Sequence, residues 1–252
     1  MWINYDPGFI ADTLHSDYNH VTFHIPSLVG LNGETQNHDE KAKNLLDHFS
    51  NLIGSSDGRS MGMNWDFLQL PSSNLSHLEE DFSLEELKEA ISSCHSKKAP
   101  GPAGFIGGFF KKCWDFIHGD LLLAFNQLHS LRDRQWKLLN TAHIVLLPKE
   151  GASRATDYRP VSLMHSAAKI VCKMLASRLA PELPHLISQS QSAFIKGRSI
   201  QDNFIYVQNV IRAENSKKRP LIFLKLDIAK AFDSVNWSYL LEILSAYGFG
   251  PR

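Results

Sequence analysis

Cysteine is scarce in this chain: Cys94, Cys113 and Cys172 are the only three in 252 residues, and no two of them stand at a CxxC spacing. That excludes a disulfide framework and a paired-cysteine zinc module, and makes a reducing compartment the default. No apolar run approaches the roughly 18 residues of a membrane-spanning helix. The opening string MWINYDPGFIADTLHSD has no basic n-region and no apolar core, so it does not read as a signal peptide. The expectation is a soluble intracellular protein with no membrane partner, nucleus or cytoplasm left open. Eight of the twelve histidines fall before residue 120, without the cysteine partners of a metal site, and are read as ordinary side chains.

What is present is enough hydrophobic residue, 43%, for a real core, in a length that suits one large domain or two small ones. The formal net charge of zero conceals a division. Residues 1–96 hold 4 Lys and Arg against 15 Asp and Glu, whereas residues 97–252 hold 22 against 11. A basic second part suggests a surface that faces a polyanion.

In chain order, PSLVGLNGE reads as a turn-rich hairpin or linker, and DEKAKNLLDHFSNLI places Ala42, Leu45, Leu46, Phe49 and Ile53 on one helical face. Ser83 and Glu86 form a capping box for a helix that is expected to bury Leu84, Leu87, Ala90, Ile91 and Cys94 and to end near His95. The stretch KKAPGPAGFIGGFFKKCWDFI follows, with Lys97-Lys98 and Lys111-Lys112 read as solvated charge and Pro100-Gly101-Pro102 as a rigid loop; its glycines fit neither GxxxxGK[ST] nor GxGxxG. HIVLLP reads as a short strand delivering Lys149, and Arg159 comes soon after in DYRPVSL. Such a pair suits a triphosphate, the Arg as a fork and the Lys as a point charge. A helix through Ile170, Val171, Met174, Leu175 and Leu179 then ends before Pro181. In QSQSAFIKGRSIQDN, Gly197 permits a tight turn and Ser199 caps a helix whose expected buried stripe is Ile200, Phe204, Val207 and Ile211.

The stretch around which the rest is arranged is LIFLKLDIAKAFDSVNW, Leu221 to Trp237. Its first half has strand composition, with Ile222, Leu224, Leu226 and Ile228 on one face and Phe223, Lys225 and Asp227 on the other. A carboxylate on an otherwise apolar strand is costly without a cation or donors to compensate it, which raises the question of what Asp227 binds. Asp233 or Ser234 then offers an N-cap for a helix carrying Val235, Leu240, Leu244 and Tyr247 and stopped by Gly248.

With Phe232 five residues after Asp227, DIAKAFD resembles the first palm motif of reverse transcriptases in the form used by LINE-type (non-LTR) retrotransposons. Three further segments resemble that family in its order. APGPAGF is similar to the APGPDGF finger loop, with Ala103 at the usual Asp position. LPK and DYRPVSL are similar to the finger strands that contact the incoming nucleotide, and QSAFIKGRSIQDN to the segment before the catalytic strand. The resemblance covers residues 81–252, and residues 1–80, with IPSLVGLNGE, look like the linker that precedes the polymerase in plant-style elements.

The resemblance implies an α/β (α+β) fold of the right-hand polymerase kind, fingers and the start of a palm, behind a mostly helical extension over residues 1–80. It implies Mg2+ held by Asp227 and the carbonyl of Ile228, with Asp227 catalytic. Lys149, Arg159, Ile228 and Phe232 would contact the nucleotide, Phe232 as the gate against a ribose 2′-hydroxyl. Lys97, Lys98, Gln191, Phe194, Lys196, Gly197 and Arg198 would serve the template. The implied partners are an RNA template, a DNA primer and deoxynucleoside triphosphates; oligomeric state is open. A haloacid-dehalogenase-like phosphatase with Asp227 as nucleophile is excluded by Ala229, where that motif wants a second Asp.

The family's second metal-holding motif carries adjacent aspartates, and no Asp-Asp pair occurs in the 252 residues. The expectation is therefore a truncated reverse transcriptase that does not extend a primer by itself. The alternative is a non-catalytic remnant, at most a weak, sequence-independent nucleic-acid-binding module. Either way, binding through Lys97, Lys98, Lys149, Arg159, Lys196 and Arg198 releases counterions from phosphate. Affinity for a primer–template duplex is predicted to fall steeply between low and moderate salt in a filter-binding titration; affinity indifferent to salt would contradict the basic-surface reading.

Overall fold

The computed structural model describes residues 25–30, 33–53, 62–68, 70, 73–130, 139–226 and 235–251. The elements are β1 (Leu28–Gly30), β2 (Gly33–Thr35), α1 (His38–Ile53), α2 (Trp65–Leu68), α3 (Leu84–Ser92), α4 (Gly107–Lys112) and α5 (Trp114–His129). They continue with β3 (Ala142–Pro148), β4 (Tyr158–Met164), α6 (Ser166–Leu179), α7 (Leu183–Leu186), α8 (Ile200–Ser216) and α9 (Trp237–Ala246). The described residues of Met1–Asp57 and Asp81–Met174 form one compact unit, and those of Gly58–Glu80 and Leu175–Pro251 a second. Helices with two small antiparallel sheets make a mixed class.

In the first unit, β1 and β2 pair Leu28 with Thr35 and Gly30 with Gly33, the hairpin expected from PSLVGLNGE. Asn37 starts α1: its side-chain oxygen accepts from the amides of Asp39 at 2.9 Å and Glu40 at 3.1 Å, satisfying donors that a helix start leaves open. The apolar face of α1 buries Leu45 and Phe49 with Ile25, Leu28, Ile144, Leu146 and Tyr158. Lys41 is buried beside them, its ammonium donating to the Ile25 carbonyl at 2.7 Å.

β3 and β4 pair antiparallel over their whole length, from Ala142 with Met164 to Pro148 with Tyr158. Along β3 the burial alternates, with Ala142, Ile144 and Leu146 inside. This is the period of two that faces one side of a strand to a core.

The second cluster of the unit gathers Phe82, Leu87, Ala90, Ile91, Phe110, Phe125, Ile170, Val171 and Met174. α3 has the capping box: the Ser83 amide donates to Glu86 Oε2 at 2.8 Å, and the Glu86 amide to Ser83 Oγ at 3.2 Å. Asn126 of α5 fastens the residue before it, accepting from the Phe82 amide at 2.6 Å and donating to the Phe82 carbonyl at 3.1 Å. Helices α4 and α5 follow the Pro100-Gly101-Pro102 loop, in a stretch where no helix was expected from the sequence. Phe110, Trp114, Ile117, Leu121, Phe125 and Leu128 recur every three or four residues there, a helical stripe that the Pro and Gly before it obscured. Each fully buried Leu, Ile or Phe of these clusters contributes about 1.5–3 kcal/mol of transfer free energy.

In the second unit, the Arg178 guanidinium donates to the carbonyls of Leu78, at 3.2 Å, and Glu80. Trp65 meets Tyr239 of α9 with ring centroids 5.7 Å apart, and the Ser73 amide donates to the Tyr247 carbonyl at 3.3 Å.

The structure differs from several expectations: Leu84 of α3, expected inside, is 38% exposed. The cap of α9 is Asn236, accepting from the Tyr239 amide at 3.1 Å, and the helix begins at Trp237; Asp233 and Ser234 lie outside the described residues. α8 is present and capped by Ser199, yet it buries none of its residues, and Ile200 and Phe204 are 67% and 65% exposed. Helical periodicity fixes which side chains share a face but not that a partner covers it. Residues 221–226 are not a strand, and Ile222, Leu224 and Leu226 are exposed. No described strand lies beside them to complete a ladder, and an unpaired strand has no stability of its own in water. In α6, Ala168, Ile170, Val171 and Met174 are buried as expected, while Leu175 is exposed.

Gly101 is set so closely against β4 that an added Cβ would run into the Met164 carbonyl group. Ala103, two residues on, is exposed. Gly101→Ala is predicted to lower stability by about 1–3 kcal/mol through backbone displacement, whereas Ala103→Asp should stay within about 0.5 kcal/mol. Thermal melts of both variants check this; an equal loss in the two would contradict the close-approach account.

Candidate nucleotide and nucleic-acid contacts

The β3–β4 register decides where the two expected triphosphate cations go. Arg159 pairs with Leu147, and Leu146 with Pro160. Cross-strand partners share a face, so Arg159 lies on the side opposite Ile144, Leu146 and Tyr158, which enter the core. Lys149 follows β3 directly, two residues beyond Leu147. Both cations are exposed at the loop end of the hairpin. Arg159 makes no hydrogen bond or ion pair among the described residues. Lys149 is tied back into the loop: its ammonium donates to the Thr156 carbonyl at 3.0 Å, and its amide to the Asp157 carbonyl at 2.9 Å.

Between them, Asp157 organises the turn. Its Oδ2 accepts from the amides of Arg154 at 2.9 Å and Ser153 at 3.2 Å. These bonds, with the charges of Lys149 and Arg154 behind them, hold the carboxyl below its usual value despite some desolvation. Asp157 stands within DYRPVSL, and this role left no signal in the sequence, because its partners are backbone amides. Beside this turn, α1 presents Asn44, Asp47, His48 and Asn51 to a cavity of about 530 Å³ shared with Arg154 and Thr156.

The lysine-flanked loop is stitched at both ends. The Gly104 amide donates to the Gly101 carbonyl at 2.9 Å, the Gly108 amide to the Ser96 carbonyl at 3.1 Å, and Ser166 Oγ to the Phe105 carbonyl at 2.6 Å. Lys97 and Lys98 are exposed and, with His95 and Ser96, line an open cavity of about 460 Å³. The Lys169 ammonium is pushed below its ordinary value by burial and then by the charge of Lys98. Lys98 and Lys169 therefore add a second cation pair to the first unit.

In the second unit, Gln191, Phe194, Lys196, Gly197 and Arg198 share one turn, with Gly197 at φ +83°. Arg198 is spent on backbone: its guanidinium donates to the carbonyls of Ser188 at 2.5 Å, Gln191 at 2.7 Å, Ile187 at 3.0 Å and Pro184 at 3.3 Å. Asn203 of α8 holds the same segment through the Ser190 carbonyl at 3.0 Å. Phe194 has φ +64° and is 94% exposed, while its neighbour Ile195 is buried. A left-handed backbone is costly for a bulky residue, so the surrounding bonds hold this ring out in solvent. Lys196 is exposed next to it.

Asp227, Ile228 and Phe232 lie outside the described residues. Among the described residues, no group of three His, Cys, Asp or Glu is placed to hold a metal ion, and no helix is long and apolar enough to cross a membrane.

Replacing Arg198 with Ala leaves four carbonyls without their donor and is predicted to cost about 2–3 kcal/mol, the range for hydrogen bonds to a charged group. Lysine should not rescue it, because a compact ammonium cannot reach four separated acceptors. Hydrogen exchange over residues 184–198 reads the result: both variants should exchange faster, and protection restored by lysine would contradict the clamp.

Residues 147–252 match the reverse transcriptase (RNA-dependent DNA polymerase) family. An uncharacterized 149 kDa protein of transposon TX1 from Xenopus laevis is 34% identical over 190 residues, which are 75% of this chain and 14% of that protein. A Pol polyprotein of the type-1 retrotransposable element R1 from Bradysia coprophila is 28% identical over 170 residues, 66% of this chain and 17% of that one. An RNA-directed DNA polymerase from the mobile element jockey of Drosophila funebris is 30% identical over 158 residues, 61% of this chain and 17% of that protein. The chain thus spans less than a fifth of the length of these relatives. The segment 147–252 belongs to the reverse transcriptase family, in the form carried by non-LTR retrotransposons.

Proposed function

We propose that this chain contributes the fingers and the start of the palm to template-directed nucleotidyl transfer, making DNA on an RNA template. Residues 81–252 are the polymerase part of this reading and residues 1–80 its extension. In it, Lys149 and Arg159 grip the triphosphate of the incoming deoxynucleotide. Lys97, Lys98 and Lys196 neutralise template phosphates, and Phe194 offers a ring for a base to stack on. Arg198, with Gln191 and Gly197, acts indirectly by fixing the turn that carries Phe194.

Asp227 is the catalytic carboxylate of the proposal. Its side-chain oxygen and the Ile228 carbonyl are hard donors of the kind that magnesium takes, and the metal would supply charge stabilisation at the transferring phosphate. Phe232, close behind, would exclude a 2′-hydroxyl.

The observation that carries the reading is that Lys149 and Arg159 are both exposed at the loop end of one hairpin, with the Arg159 guanidinium unengaged among the described residues. Two cations in that arrangement suit a ligand with several adjacent phosphates better than a single carboxylate. Titration of the 252-residue chain with a deoxynucleoside triphosphate tests it. Lys149→Ala and Arg159→Ala should each weaken binding by about tenfold, one charge-assisted contact apiece. Unchanged affinity in both variants would sink the reading.

A further inference from the structure

A carboxylate beside a triphosphate site works against binding unless it does something else. Asp157 stands between Lys149 and Arg159 in sequence and is turned inward. Its Oδ2 holds the Ser153 and Arg154 amides, at 3.2 Å and 2.9 Å, and Thr156 Oγ1 lies 3.5 Å from its Oδ1. Its backbone completes the loop: the Asp157 amide donates to the Arg154 carbonyl at 2.9 Å, and the Asp157 carbonyl accepts from the Lys149 amide at 2.9 Å. The Ala152 amide returns to the Lys149 carbonyl at 3.1 Å, and the Lys149 ammonium to the Thr156 carbonyl at 3.0 Å. Every one of these bonds closes within residues 149–157, so the loop has its shape without any ligand.

We propose that Asp157 is a positioning residue. Its carboxylate folds the 149–157 loop into one conformation and thereby places the Lys149 ammonium, held by the Thr156 carbonyl, for a triphosphate that Arg159 of the adjoining strand also meets. This rests on the reading of those two cations as triphosphate contacts. The gain is preorganisation: a loop that is already ordered loses less conformational entropy when the ligand arrives. Pairing with Arg159 is not its role, since its oxygens face amides and a hydroxyl of the loop and no ion pair joins the carboxylate to Arg159.

The sign of the effect separates this role from a local charge effect. A carboxylate acting only as a negative charge repels triphosphate, so removing it strengthens binding. A carboxylate that positions the cations does the reverse. The experiment is a titration of the 252-residue chain, Asp157→Ala, Asp157→Asn and Lys149→Ala with a deoxynucleoside triphosphate. Thermal midpoints and hydrogen exchange at Ser153 and Arg154 are recorded in parallel.

Asp157→Ala is expected to weaken binding about tenfold and speed exchange of both amides, with an unchanged melt. Asp157→Asn, whose amide oxygen accepts the same two bonds without the charge, is expected to keep affinity within about threefold. Triphosphate binding that is unchanged or tighter in Asp157→Ala, while Lys149→Ala weakens it, overturns the positioning role and leaves the triphosphate reading standing. Exchange at Ser153 and Arg154 as slow in Asp157→Ala as in the parent chain also overturns it. Binding indifferent to Lys149→Ala removes the triphosphate reading itself, and the positioning role falls with it.

Discussion

A two-stranded sheet survives in water only when one of its faces is covered, and that requirement sets the register of β3 and β4. Ile144, Leu146 and Tyr158 go inward against Leu28, Leu45 and Phe49. Once they do, Arg159 has to lie on the other face, because side chains alternate along a strand. A slip of one residue would reverse every side chain and carry the guanidinium into the apolar cluster, at the cost of burying an unpaired charge. The position of the cation therefore follows from the packing of its apolar neighbours. The same cluster joins the acidic early segment, through β1 and α1, to the hairpin that carries the basic residues.

The cations of the chain divide by what they are already doing. Arg198 is engaged by four carbonyls and Arg178 by two, so both serve the backbone. Lys149 has one bond, to the loop it belongs to, and Arg159 has none among the described residues. Similar motif strings thus conceal different physical roles. The arginine of the FIKGRSIQDN segment, expected among the template residues, builds the turn from which Phe194 projects, and any effect it has on a template passes through that turn.

Local signals were legible in the sequence. The Ser83–Glu86 capping box and the stop before Pro181 rest on bonds or sterics within a few residues, and the fold reproduces them. The HIVLLP strand and the burial of Leu45 and Phe49 on α1 also form, each against a distant surface that the sequence did not identify. Other signals that depend on a distant partner misled. The stripe Ile200, Phe204, Val207 and Ile211 does lie on one helix, but burial needs a second surface, and periodicity says nothing of one. Residues 221–226 have strand composition, yet strand formation requires a neighbour to complete the ladder. Helices α4 and α5 were hidden for a different reason: Pro and Gly dominate the loop before them, and the aromatic and leucine stripe begins only beyond it. Asp157 was unreadable as an organiser because its acceptors' partners are backbone amides, which carry no residue identity.

The central claim is that the hairpin end bearing Lys149 and Arg159 receives a nucleoside triphosphate. Photocrosslinking the 252-residue chain with an azido-deoxyadenosine triphosphate, followed by peptide mapping, tests it most directly. The account predicts label concentrated on the peptide spanning residues 148–160 and suppressed by excess unlabelled triphosphate. Label distributed along the chain, or collected on the peptide of α1 or α5 with none at the hairpin end, would contradict it.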